Sequence, residues 1–168
     1  MIFFFILSSM GFAGDSWKLQ NSALTYEVKH LLKTVHGTSK AAKGLVRCEK
    51  SSCDFLVATP IASFDSENSS RDTHMQQTMK AGSFPMVETN GKFPAVKDGK
   101  TTINVEVKLA GKTHTYPVDM EIKTAKNSFT ADGTLPLVLT QFDIERPSLL
   151  MSSIDDDAPV KIHLEFAK

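Results

Sequence analysis

Most of this 168-residue chain alternates apolar and polar residues with a period of two, the pattern of strands that bury one face and wet the other. Ile103, Val105, Val107 and Leu109 alternate with Thr102, Asn104, Glu106 and Lys108. After a turn at Ala110-Gly111-Lys112, Tyr116, Val118, Met120 and Ile122 alternate with Thr115, Pro117, Asp119 and Glu121. The same rhythm runs through Leu24, Tyr26 and Val28, through Leu135, Leu137 and Leu139, and through Val160, Ile162, Leu164 and Phe166. Asn90-Gly91, Asp98-Gly99, Ala110-Gly111 and Asp132-Gly133 read as the turns between runs. Several antiparallel strands, each with one apolar face, must bury those faces together, so an all-β sandwich or closed barrel is predicted. The length suits one domain with a full core.

One stretch departs from the rhythm. Residues 69–79 follow good capping residues, carry Met75 and Met79 four apart, and meet a stop at Ala81-Gly82, which predicts a single short helix. Pro147 to Ser153 reads as an apolar connection. At the N-terminus, Ile2 to Leu7 are uninterrupted hydrophobics, and Gly11 and Ala13 fit the −3 and −1 positions of a signal-peptide cleavage site. Residues 1–13 are therefore expected to be a signal peptide and residues 14–168 the barrel domain, placed in the periplasm or secreted. The apolar run is too short to span a bilayer, which needs about 20 residues.

In an exported chain the two cysteines, Cys48 and Cys53, read first as a disulfide across a hairpin whose loop is Glu49-Lys50-Ser51-Ser52. Two free thiols or a metal site are the alternatives, although zinc would want four ligands and no histidine lies close by in sequence. Nineteen basic residues balance nineteen acidic ones without a basic patch, which argues against nucleic acid. The motifs of hydrolases, metalloproteases, nucleotide-binding loops and dinucleotide folds are missing, so no catalytic residue is assigned. His114 and His163 read as solvated. His30 and His36 flank an expected strand connection, with a meeting at the barrel mouth as the alternative. Asp155-Asp156-Asp157 lacks the alternate spacing of a calcium loop and reads as a turn before the last strand.

Several segments resemble the YceI-like family of exported bacterial proteins. Trp17-Lys18-Leu19, the strand Leu24 to His30, Val35-His36-Gly37 and Gly44-Leu45-Val46 follow the family's opening. Ser63-Phe64-Asp65-Ser66 and Asn68 to Met75 resemble its strand end and Arg-Asp-x-His-Met/Leu helix, and Phe84-Pro85-Met86-Val87 its next strand start. Leu109-Ala110-Gly111-Lys112-Thr113, with Tyr116-Pro117-Val118, resembles its Leu-x-Gly-x-Thr hairpin. Glu88-Thr89-Asn90 departs from it where an aromatic residue is usual. The resemblance implies an antiparallel lipocalin-like barrel of about eight strands with one short helix, holding a polyisoprenoid chain in an apolar channel.

The alternation directs Tyr26, Val28, Val105, Val107, Tyr116, Val118, Met120 and Leu137 inward. A small barrel is either filled by such side chains or left open for one ligand. The resemblance favours the open case and a carrier of an apolar lipid, quinone or polyprenyl, with no other cofactor and no enzymatic activity; Tyr26 and Tyr116 then offer hydroxyls to its polar end. The rival reading is a structural or interaction module with a packed core, acting through its surface. A homodimer is open in either case.

Overall fold

The computed structural model describes residues 14–149 and 151–168. The expected signal peptide, 1–13, lies outside the described residues. The strands are β1 (Asp15–His30), β2 (Lys33–Ser39), β3 (Lys43–Glu49), β4 (Ser52–Pro60), β5 (Met86–Phe93), β6 (Gly99–Leu109), β7 (Lys112–Thr124), β8 (Ser128–Leu135) and β9 (Val160–Ala167). Among the described residues one α-helix, α1 (Ser69–Thr78), lies between β4 and β5, and Ser148–Leu149 pairs with Ser152–Ser153 as a small two-stranded hairpin.

Neighbours pair antiparallel in the order β9-β8-β7-β6-β5-β4-β3-β1, and β1 pairs with β9 to close the barrel. The ring therefore holds eight strands. β2 continues the path of β3 along the same edge of β1, which meets β3 through Asp15–Lys18 and β2 through Leu24–His30. Within β1 the register shifts between Leu19 and Asn21. Such a bulge moves the inward phase by one residue, so Trp17 and Leu19 give way to Ser22 and Leu24.

Turn chemistry explains part of the topology. Ala110 and Gly111 both take positive φ (50° and 78°), the two-residue geometry that suits the twist of a hairpin. The β1–β2 turn is Leu31-Leu32, without any of the usual turn residues. Two expected turns are strand interior instead. Asp132-Gly133 lies in β8, where a Cβ on Gly133 would stand 2.4 Å from the sulfur of Met120. Asn90-Gly91 lies in β5, where a Cβ on Gly91 would meet the Asn104 carbonyl at 2.6 Å and the Phe55 ring at 2.8 Å. At both sites glycine makes room for a neighbour rather than a change of direction.

The expected strand through Leu139 stops at Leu135. Pro136 cannot donate to the ladder, and the chain leaves the sheet there. Leu139 then opens a short 3-10 turn in which Leu139 and Phe142, with Ile144 just beyond, are almost fully buried. Cys48 and Cys53 face each other across β3 and β4 and are disulfide-bonded. Glu49 pairs with Ser52, so the loop is two residues rather than four, with Lys50 at φ 53°.

The barrel has two unlike ends. Toward residues 50, 97 and 126 it is filled: Trp17 packs edge-on against Phe129 (5.7 Å), which stacks on Phe166 (4.9 Å), with Ile103, Val105, Val118, Met120 and Ile122 buried around them. Toward the β1–β2 turn, α1 and the 136–159 connection it is hollow.

Candidate functional site

The hollow end is a cavity of about 500 Å³ walled by residues of seven strands, among them Leu24, Val57, Val107, Leu135, Val160 and Leu164. Met75 of α1 and Met79 at its C-terminal cap close it from above, and Pro147 and Ile154 flank it. The lining is almost wholly apolar, and its charged members, Lys33 and Arg71, are both basic. Lys33, His74 and Ser148 are its exposed members and mark where it meets solvent.

Local hydrogen bonds fix α1 over the opening. The Asn68 side chain caps the helix by accepting the Arg71 N–H at 2.9 Å. The Asp72 carboxylate accepts from the Ser66 hydroxyl at 2.6 Å and from its N–H at 3.1 Å, while Arg71 donates to the Ser66 carbonyl at 3.3 Å. Arg71 and Asp72 thus serve first to hold the helix, and Met75 and Met79 fall one turn apart toward the cavity.

Tyr26 stands at this polar end. A Cβ on Gly37, its partner on β2, would come within 2.4 Å of the ring, so the tyrosine lies flat over glycine backbone and leans on Phe64 at 5.8 Å. Burial, then the nearby Asp72 carboxylate, raises its pKa, against the opposing pull of a Ser66 hydrogen bond and of Arg71. The phenol is therefore neutral and able to donate at any physiological pH.

The sequence-predicted interior residues divide between the two ends. Tyr26, Val28, Val107 and Leu137 line the cavity. Val105, next below Val107 on β6, and Val118 and Met120, on β7, belong to the filled end. Tyr116 is buried beside the cavity, but its hydroxyl is committed: it donates to Gln141 Oε1 at 2.5 Å and accepts the Val138 N–H at 3.3 Å. Its pKa is raised, by burial first. Tyr116 thus anchors the segment after Pro136. A second tie is Asp156, which accepts from the Thr140 N–H and hydroxyl at 2.9 and 2.5 Å. That segment covers the gap where β7 and β8 part beyond the Met120–Gly133 pair.

The histidines disperse. His36 Nε2 sits 2.9 Å from Glu27 on the outer face, whereas His30 Nε2 lies 3.1 Å from the Ser152 carbonyl, so the two do not meet. His163 bonds Asp132 at 2.6 Å and Glu165 at 3.1 Å on the barrel's exterior. His114, expected to be solvated, packs instead against Tyr116 and Phe142, because its strand face turns inward at the β6–β7 hairpin. Among the described residues no three His, Cys, Asp or Glu side chains converge as a metal would require. Nor is any helix among them long and apolar enough to cross a membrane.

A closed eight-stranded antiparallel barrel hollowed at one end is a lipocalin-like architecture. The chain belongs to the YceI-like family: the YceI-like domain matches residues 17–166. Among solved structures, BcnA of Burkholderia cenocepacia is similar with a TM-score of 0.74 at 19% identity, covering 86% of this chain and 95% of that one. A polyisoprenoid binding domain from Saccharophagus degradans, implicated in plant cell wall breakdown, gives 0.74 at 11% identity, over 90% and 97%. The YceI protein of Campylobacter jejuni gives 0.68 at 21% identity, over 83% and 89%. At these identities the likeness is one of fold. No curated protein matches the sequence significantly.

Proposed function

We propose that this protein is an exported carrier that holds one apolar lipid, with an isoprenoid tail, in the hollow end of its barrel and performs no chemistry on it. The observation that carries the reading is the cavity: about 500 Å³ of largely apolar space in a barrel whose other end is occupied by buried side chains. Its size suits one ligand, since such sites run from about 300 to 1,000 Å³. A module acting only through its surface has no use for such a void, because a well-packed core stabilises it more. The polyisoprenoid binding domain with the same fold supports the isoprenoid class. The disulfide supports an oxidising compartment.

The polar groups at the mouth set the ligand's orientation. Tyr26, Arg71 and His74 offer hydrogen-bond donors beside α1, and the lining carries no carboxylate. A head group with acceptor oxygens, such as a quinone carbonyl or a phosphate, belongs there, with the tail running down toward Leu24 and Leu164. Burying about 400 Å² of tail at roughly 25 cal/mol per Å² yields about 10 kcal/mol before losses. Ordering and association remove several of these, which leaves micromolar or tighter binding. Protein purified from the organism that makes it, extracted with organic solvent and analysed by mass spectrometry, should release close to one prenyl-tailed lipid per chain. Protein that releases none, and takes none up when offered a prenyl quinone, overturns the reading.

A further inference from the structure

Three of the exposed large hydrophobic side chains gather beside the cavity mouth. Leu31 and Leu32 form the tip of the β1–β2 turn, 84% and 65% exposed, and Met151 stands 104% exposed just before Ser152–Ser153 in the small hairpin. The two tips are tied together: His30 Nε2 lies 3.1 Å from the Ser152 carbonyl, and the Asp155 N–H donates to the Lys29 carbonyl at 2.8 Å. Each tip adjoins residues that line the cavity, Lys33 and Val35 on one side and Pro147 and Ser148 on the other. Two apolar points thus flank one opening.

We infer that this rim is a membrane-docking surface, and that its partner is a phospholipid bilayer carrying anionic lipid. Three side chains at turn tips expose on the order of a few hundred Å², well short of the roughly 800 Å² per partner of a stable protein interface. They match what an interfacial anchor needs, a few protruding apolar groups ringed by cations. The charged side chains on the cavity lining, Lys33 and Arg71, are basic, and Lys29 and Arg146 stand on the same rim. Of the acids nearby, Glu27 is engaged by Lys29 and His36 and Asp72 by Ser66, while Asp155 and Glu145 remain beside the hairpin. Lys33 makes no ion pair among the described residues and faces the opening, where it attracts a lipid phosphate. Docked this way, the mouth meets the acyl region, and an apolar tail passes into the barrel without crossing water.

This inference rests on the carrier reading for its purpose but is tested apart from it. Wild type and the variants L31S/L32S, M151S and K33Q are floated with vesicles of phosphatidylcholine, alone or with a minor fraction of phosphatidylglycerol. All share the same N-terminus, so differences between them read the rim. Wild type should float with the anionic vesicles, and L31S/L32S should lose about tenfold or more of that partitioning, since each leucine withdrawn removes a buried side chain. M151S should lose part of it, and K33Q should lose the preference for anionic vesicles. Tryptophan emission from Leu31→Trp should shift blue with vesicles. Thermal melts unchanged by these surface substitutions establish that the variants are folded. Variants that float like wild type overturn the proposal, as does wild type that stays with neither vesicle. Self-association of wild type that L31S/L32S abolishes overturns it in favour of a contact between copies. Docking by protein whose extracts hold no lipid would sink the carrier reading and leave the docking surface standing.

Discussion

Val107 and Val118 are equally buried, at 0% and 1% exposure, and both face the barrel interior. Enlarging each to phenylalanine should nonetheless have opposite consequences. Val107 borders the cavity, so the added ring carbons enter space that holds no protein atoms. Their burial contributes about 1 kcal/mol in the lipid-free protein, less whatever ordering the ring costs. Val118 sits opposite Ile103 in the filled end, where an extra ring overpacks the core and costs roughly 1 to 3 kcal/mol. The two variants should therefore differ by about 2 to 4 kcal/mol, a melting-temperature gap on the order of 10 °C for a domain of this size. The melts are run on lipid-stripped protein, because a bound ligand adds its own stabilisation. Extraction of the unstripped proteins supplies the second readout: Val107→Phe should lose lipid occupancy, and Val118→Phe should retain it in the fraction that folds. Equal destabilisation by the two substitutions would refute the division into a hollow and a filled end.

Three further outcomes follow from particular contacts. The Ser22 hydroxyl is buried without a hydrogen-bond partner, so Ser22→Ala should be neutral or stabilise by about 1 kcal/mol in denaturant titrations; a clear loss would mean the hydroxyl is satisfied. Gly37→Ala should displace the Tyr26 ring, lowering lipid retention more than Tyr26→Phe does, because the first moves the whole wall and the second removes only a donor; equal retention by Gly37→Ala and wild type would refute that packing. Hydrogen bonds to Asp132 and then Glu165 raise the His163 pKa, while bonds from Asn21 and then His163 lower that of Glu165. The histidine's contribution is therefore complete below its ordinary value near 6.5 and is lost as pH rises through its raised one. The glutamate's fades as pH falls through its lowered value, so the melting difference between wild type and His163→Gln should peak at mildly acid pH, and a flat difference would reject the pairing.

Much of the barrel could be read from side-chain alternation, because β6 and β7 keep strict phase and their faces are wholly in or wholly out. Residues 69–78 were equally legible, since Asn68 and the Met75–Met79 spacing are local signals. Where a glycine served a distant neighbour, local reading failed: Gly133 accommodates Met120, and Gly91 accommodates Phe55. The bulge near Gln20 also left no mark, because Ser22 and Ala23 do not announce which of them faces inward. Half of the expected cavity residues fell outside the lining for a related reason. Period two fixes the side of the sheet but not the height along the barrel, and valines at 105 and 107 look alike until a filled end and a hollow end are distinguished.

Closure of the barrel through β1 and β9 bears on how the molecule is made. Lys18 pairs with Ala167 and Tyr26 with Val160, contacts that span nearly the whole chain. Loop-closure entropy makes such a pairing slow, and topologies dominated by distant contacts fold in milliseconds to seconds. Until β9 is available, β1 and β8 both present unpaired edges, and the ring has no way to seal itself. A chain that emerges N-terminus first therefore cannot close its ring until the last strand is free. The topology itself ties closure of the barrel to release of the C-terminal strand.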